Sequence, residues 1–354
     1  VPGSATERER AVRAAFAEQA VWAEKLESPF MARLTAAIGA GLDRSSEVGR
    51  RILDWPGRPD AGADNVTLRL CGGLHALVRS GAAPALADCY PPNPTPDEAG
   101  LWLAVNSALH DHEAALLPWL DSAPQTNEVG RSAVLMAGLL AVADRFGRPV
   151  ELLELGASAG LNMLLDQYRY DLGGLVAGNA SSSLHLAPEW RGRPPPEARV
   201  SVAARAGVDL RPMDVRRDGE RLLAYVWPDQ PARLRQLEAA LAIARESPPR
   251  VEQSDAADWL EAKLAEPVEP GHSRVVLHSI AYQYFPTETQ QRIRAMIETA
   301  GAGASEETPL AWLRFEFLAA DGKSSLRLRT WPGGEDRLLA WAHPHGKWVR
   351  WLLG

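Results

Sequence analysis

The feature that most constrains this chain is a change of pattern at Pro149. Before it, apolar residues recur at three- to four-residue spacing, as in Phe16, Ala20 and Ala23, the period of an amphipathic helix. After it, short apolar runs alternate with helical stretches. The first run, Val150 to Leu155, is closed by Gly156 and followed by a helical stretch from Gly160 to about Gln167. Strands are also expected at Val200 to Ala204, Val251 to Gln253, Val275 to Ile280 and Ala311 to Leu318. Helices are expected between them at Pro231 to Arg245, Ala256 to Leu264 and Thr287 to Thr299. Such alternation predicts an α/β fold on a mostly parallel sheet with helices on both faces. Ser325 to Trp331 and Leu338 to Ala342, parted by Gly333-Gly334, predict an antiparallel C-terminal hairpin.

The earlier part reads as helices at Leu68 to Val78 and Leu101 to Leu117, with Tyr90 to Pro96 a proline-rich rigid loop. Asn127-Glu128 opens a long helix that carries the apolar run Ala133 to Ala143, with Asn127 as its N-cap. At about 150 residues per domain, 354 residues suit two domains. The expected division is an N-terminal helical cap domain over 1–125 and a ligand-binding domain over 126–354.

Composition excludes several classes. Hydrophobic residues at 46% and charged residues at 23% are those of a globular chain, not a disordered or collagen-like one. Lys and Arg number 38 against 45 Asp and Glu, a net charge of −7, which argues against a nucleic-acid partner. The apolar run at Ala133 to Ala143 is too short to span a bilayer, so no membrane partner is expected. Two cysteines, Cys71 and Cys89, make no disulfide framework, and no secretory pattern precedes Glu7-Arg8-Glu9-Arg10; a cytoplasmic location is expected. His110 and His112 do not share a helix face, and His343 and His345 lack further ligands, so no metal is expected.

The turn after the first strand, Glu154-Leu155-Gly156-Ala157-Ser158-Ala159-Gly160-Leu161-Asn162, has the geometry in which backbone N–H groups and a helix start face a ligand. A dinucleotide site would need Gly-x-Gly-x-x-Gly, which is absent. A hydrolase nucleophile elbow, Gly-x-Ser-x-Gly, is matched literally by Gly156 to Gly160, with Ser158 as nucleophile and His278 or His343 as base. Against it, everything before this strand reads helical, and no His-Gly-Gly oxyanion segment appears.

Glu154, Gly156 and Gly160 also form Glu-x-Gly-x-x-x-Gly, which resembles motif I of the class I S-adenosylmethionine (SAM) dependent methyltransferases, with Ser158 where many members have glycine. The resemblance implies a Rossmann-like sheet with the cofactor SAM held by Glu154, Gly156, Ala157, Ser158, Gly160 and Asn162. It further implies Asp209, or Asp214, on the ribose; Asp255 with Ala256 on the adenine; and His278-Ser279 beside the sulfonium, with Tyr282 or Tyr284 facing it. Asp255 can equally be a helix N-cap, and the tyrosines can simply pack. The whole chain resembles a bacterial family catalogued as domain of unknown function 2332. The segments are Thr126 to Ser132, Leu155 to Asn162 with Tyr168 to Asp171, and Val226 to Gln230. Asn127, Arg131 and Tyr170 are assigned to substrate and Glu128 to catalysis, while Asp229 is expected to cap the helix that follows it. The expected activity is methyl transfer to a small-molecule acceptor. A SAM cyclase or lyase releasing methylthioadenosine, a serine hydrolase and a non-catalytic SAM binder remain open.

Overall fold

The structure, a computed structural model, describes residues 4–318 and 323–353. The chain forms two compact units, one running up to Thr126 together with Asp218–Leu234, the other comprising Asn127–Arg217 and the chain from Arg235 onward.

The first unit is helical. Its first helix, Ala5–Lys25, starts at a capping box: the Glu7 carboxylate accepts from the Ser4 amide at 2.7 Å while the Ser4 hydroxyl accepts from the Glu7 amide. Phe16, Leu34, Ile38, Ile52, Leu70, Leu74 and Leu109 meet in one buried core. The expected helix over Leu101 to Leu117 is two helices, Glu98–Asp111 and Glu113–Leu120, because His112 leaves the helical region at φ −125°. The expected boundary at residue 125 misses that Asp218–Leu234 belongs here. Trp227 lies in this core, and Asp229, expected to cap the helix after it, instead accepts from the Phe30 amide at 2.9 Å and from the Ser28 hydroxyl. It therefore caps the helix Pro29–Gly41, whose own Ser28 makes no cap bond.

The second unit is α/β. In chain order its strands are β1 (Val150–Leu155), β2 (Arg169–Leu172), β3 (Leu175–Gly178), β4 (His185–Leu186), β5 (Glu189–Arg191), β6 (Val202–Asp209), β7 (Val251–Gln253), β8 (Ser273–Ser279), β9 (Leu310–Leu318), β10 (Lys323–Trp331), β11 (Asp336–Ala342) and β12 (Trp348–Trp351). Nine form one sheet ordered β5-β12-β11-β10-β9-β8-β1-β6-β7, and β3-β2-β4 form a small second sheet. The pairs among β7, β6, β1, β8 and β9 are all parallel. All seven residues of β8 are buried, as expected of a central parallel strand covered on both faces.

The expected hairpin extends into a meander, β9-β10-β11-β12, with β5 added in parallel to β12. On one face, Leu153, Leu155, Val276 and Trp312 pack with Leu260, Ile293 and Ile297, from the helices Ala256–Ala265 and Thr287–Ala302. The helix Arg131–Phe146 bears on the opposite face; Gly138 lies so close to Leu313 that an added Cβ would be 2.5 Å from its Cδ1. Among the described residues no helix is long and apolar enough to cross a membrane.

Candidate functional site

From β1 the chain steps outward to β6 and β7, then returns across β1 to β8 and β9. The carboxyl ends of β1 and β8 are therefore the topological switch point of the parallel sheet, where ligands of open α/β folds bind. The turns after these two strands meet there. At Gly156, with φ 70°, an added Cβ would lie 2.6 Å from the Ala281 methyl and 3.6 Å from the Phe285 ring. Only glycine meets both demands without strain.

Glu154 is 1% exposed, and its Oε2 has no hydrogen-bond partner among the described residues. Burial, reinforced by the negative charge of Asp209 and opposed by Arg131, pushes its carboxyl up to about 8. Ser158 takes φ 54°, and its buried hydroxyl also lacks a partner. The glycine turn differs from an open anion cradle. The Gly156 and Ala157 amides both donate to the Val208 carbonyl, at 2.9 and 3.0 Å, and the Gly160 amide donates to the Ala157 carbonyl. Asp209, the last residue of β6, accepts from the Ser158 amide at 2.9 Å and the Arg211 amide at 2.9 Å. The substitute, Asp214, accepts from the Arg216 and Arg217 amides and so shapes a turn.

Asn127 is not the N-cap it was expected to be. The long helix starts at Arg131 behind Gly130, and the Asn127 side chain accepts from the Leu161 amide at 2.8 Å, tying the pre-helical segment to the glycine turn. Asn162 accepts from the Ser132 hydroxyl at 2.7 Å. Glu128 accepts from the Gly130 amide at 3.3 Å. Arg131, only 9% exposed, donates to the carbonyls of Ser279 at 2.8 Å and Pro344 at 3.0 Å, joining the helix start to the end of β8 and to the β11–β12 loop. That loop comes so close that a Cβ on Gly130 would stand 2.3 Å from the His345 carbonyl oxygen.

His278 donates from Nδ1 to Glu316 at 2.6 Å and accepts from the Trp312 indole N–H at 3.2 Å through Nε2. This pairing orients the imidazole and commits both of its nitrogens. Tyr282 stacks on His278 with ring centroids 4.8 Å apart, and its hydroxyl donates to the Gln290 carbonyl. Tyr284 is 62% exposed and is not drawn into this cluster. Asp255 caps its helix, accepting from the Ala257 and Asp258 amides, and Ala256 is packed beneath it. Tyr170 is fully buried on β2 with its hydroxyl given to the Leu165 carbonyl at 2.6 Å, a packing position with no open face toward a substrate.

Sequence reasoning missed Glu316, whose single Oε1 accepts from His278, Ala281 and Tyr282. A signal was present: Arg314 and Glu316 interrupt the apolar strand at period two, on the face shared by Trp312. The helical unit holds a pocket lined by Met31, Cys71, His75, Tyr90, Tyr225 and Trp227. Burial holds the Cys71 thiol up at about 12 and His75 down at about 4, so both are neutral there and poorly suited to act as nucleophile and base. Among the described residues no group of three or more His, Cys, Asp or Glu is placed to hold a metal ion.

A family model described as an uncharacterized protein conserved in bacteria (DUF2332) matches residues 13–351. No curated protein and no solved structure matches the chain.

Proposed function

The chain belongs to this bacterial family, and we propose that its α/β unit binds S-adenosylmethionine between the carboxyl ends of β1 and β8 and transfers a methyl group to a small-molecule acceptor. The observation that carries the reading is the buried, unpartnered Glu154 Oε2 at the switch point. A carboxyl in that state is stabilised most by a cation with a proton to donate or a charge to share, and the cofactor's ammonium and sulfonium are such groups. Numbered along the chain, the five parallel strands run 3-2-1-4-5, the order of nucleotide-binding doubly wound sheets, which supports the reading. The methyltransferase-like fold is part of the proposal, and the meander at β10–β12 is where this sheet adds its own pattern.

The residues fit such a group in part. Glu154 would hold the cationic end, giving up its proton as the ligand arrives, and the unpartnered Ser158 hydroxyl offers a second polar contact. Asp209 and Asp255 end β6 and precede the helix after β7, positions suited to ribose and adenine, although each already accepts backbone N–H groups. The space over Gly156 is filled by Ala281 and Phe285, so accommodation there requires that segment to move. Bound, the cofactor supplies an electrophilic methyl group; the chain's part is to orient it and exclude water.

The test is to incubate the purified protein with SAM and follow bound and free nucleosides by mass spectrometry. Retention of intact SAM by the wild type and its loss in Glu154→Ala is the expected result. Release of methylthioadenosine would assign cyclase or lyase chemistry to the same site, and no binding at millimolar SAM would overturn the proposal. Turnover with no acceptor in a broad panel, despite tight retention, would favour a non-catalytic binder. A serine hydrolase is the second reading, favoured by the positive φ and free hydroxyl of Ser158, since an elbow nucleophile sits on a strained strand-to-helix turn. The engagement of both His278 nitrogens elsewhere weighs against it. A phosphonate adduct on Ser158 would install it.

A further inference from the structure

We infer that Ile280–Phe285 is a gate over the glycine turn and that Glu316 is the positioning residue that latches it. The inference rests on the reading that the ligand enters between β1 and β8. Three independent features meet in this segment. Ala281 and Phe285 occupy the space above Gly156, so the closed segment and a ligand lying on that turn compete for one volume. Ile280, the hinge-side residue, has φ 48°, a left-handed conformation that a β-branched side chain resists, so the closed form stores strain that opening releases. The hydrogen bonds tying the middle of the segment to β9 converge on one carboxylate oxygen: Glu316 Oε1 accepts from the Ala281 and Tyr282 amides, each at 3.2 Å, and from His278 Nδ1 at 2.6 Å. The Tyr282 ring adds packing on His278 and Trp312.

The remaining bonds move with the segment or sit at its margins. Tyr284 and Phe285 donate to Ala281 and Tyr282 within it, and Ile280 donates to Phe315 at the strand end. Tyr282 and Phe285 are also joined to Gln290 of the following helix, by the Tyr282 hydroxyl and by the Gln290 side-chain amide. That second attachment holds the helix end, so the segment turns about Ile280 at one end and the Gln290 contacts at the other, and the part held by Glu316 is what lifts. His278 stays on β8 when the latch releases, keeping its Trp312 bond. A strained hinge, a concentrated latch and a covered turn together describe a bistable segment.

The two ends of this device give opposite predictions. Glu316→Gln weakens the charge-assisted latch and favours opening; Ile280→Asn, which tolerates positive φ, removes strain from the closed form and favours closure. Hydrogen exchange read by mass spectrometry on the ligand-free full chain is the first measurement. The Ala281 and Tyr282 amides should exchange faster than Val276 and Leu277 of β8. They should accelerate about tenfold in Glu316→Gln and slow roughly fivefold in Ile280→Asn, the latter corresponding to removal of part of the left-handed penalty. SAM association rates should shift in the same two directions.

Exchange of Ala281 and Tyr282 only with the β8 core would overturn the gate. So would a shift in the same direction by both variants, which is what a purely structural role predicts. If the wild type binds SAM but its association rate ignores variants that do alter exchange, the segment does not control access and the inference fails. If the wild type binds no SAM, the cofactor reading falls by itself, and the exchange pattern still decides whether the segment opens.

Discussion

Glu154 and Glu316 stand at the same end of the same sheet, on opposite faces, and the chain treats them in opposite ways. The register pairs Glu154 with Leu277 and Arg314 with His278, so Glu154 faces the Arg131 helix while Glu316 shares the face of His278 and Trp312. One oxygen of Glu316 collects three N–H donors and fixes a turn, a histidine ring and a stacked tyrosine. Glu154 is more deeply buried, and its Oε2 collects none. Glu316 Oε2 is likewise without a partner among the described residues, so the difference between the two lies in the donors gathered by Glu316 Oε1. Depth of burial therefore does not distinguish a carboxylate that builds structure from one left without donors, the kind our proposal assigns to a ligand. The supply of donors does, because a buried carboxyl without N–H partners keeps its proton.

The pH dependence of stability breaks or sharpens this contrast with the largest effect. Unfolded, Glu154 titrates near its ordinary 4.5; folded, near 8. Between these values the native state holds a proton that the unfolded chain has released, so stability is fully present below the lower value and falls as pH rises through the upper one. Glu154→Gln removes that dependence. In denaturant titrations the variant should gain on the wild type by roughly 3–5 kcal/mol between about pH 5 and pH 9. A gap that stays flat would mean that a counter-charge already serves Glu154. Glu316→Ala is next. Deleting an acceptor of three donors, one from a buried histidine, should cost about 2–4 kcal/mol near neutral pH, with Glu316→Gln costing less. Equal stability of wild type and Glu316→Ala would erase the distinction between the two carboxylates.

What could be read from the sequence was local. The apolar run of β1, the Gly156 turn and the Asp255 cap all depend on residues a few positions apart, so spacing alone exposes them. What could not be read depends on distant partners. Asp229 caps a helix 201 positions away, and nothing beside it in sequence distinguishes that from capping the helix immediately after it. Asn127 has the chemistry of an N-cap, but its oxygen is claimed by the Leu161 amide, and the helix waits until Arg131. Glu316 gains its meaning only when β9 pairs with β8, a parallel register that periodicity does not specify. Even the loop N–H groups expected to face a ligand are largely taken by β6, because Gly207 lets Ala157 press against that strand.

Gly156→Ala probes the contact between the two turns directly. Its Cβ must accept φ 70° and a 2.6 Å approach to the Ala281 methyl. The left-handed penalty and the overpacking should together cost about 2–4 kcal/mol in chemical denaturation, unless the Ile280–Phe285 segment swings away. A loss of about 1 kcal/mol or less, with exchange at Ala281 and Tyr282 raised, would show the segment yielding to the methyl group as it would to a ligand.

The smallest expected effect belongs to Ser158→Ala. The hydroxyl is buried without a hydrogen-bond partner among the described residues, so deleting it removes an unsatisfied polar group instead of a bond. Its amide, which donates to Asp209, is unchanged by the substitution. Alanine must hold the same φ of 54°, which serine already endures, so backbone strain nearly cancels between the two chains. Stability measured by denaturant should therefore stay within about 0.5 kcal/mol of the wild type or rise slightly. A loss above about 1 kcal/mol would reveal that the hydroxyl is already bonded, through water for instance, and would remove Ser158 from the pair of polar atoms left open at the switch point. If stability is unchanged while SAM retention falls, the hydroxyl belongs with Glu154 to the ligand side of the contrast, and the donor-rich Glu316 stands alone as the structural carboxylate.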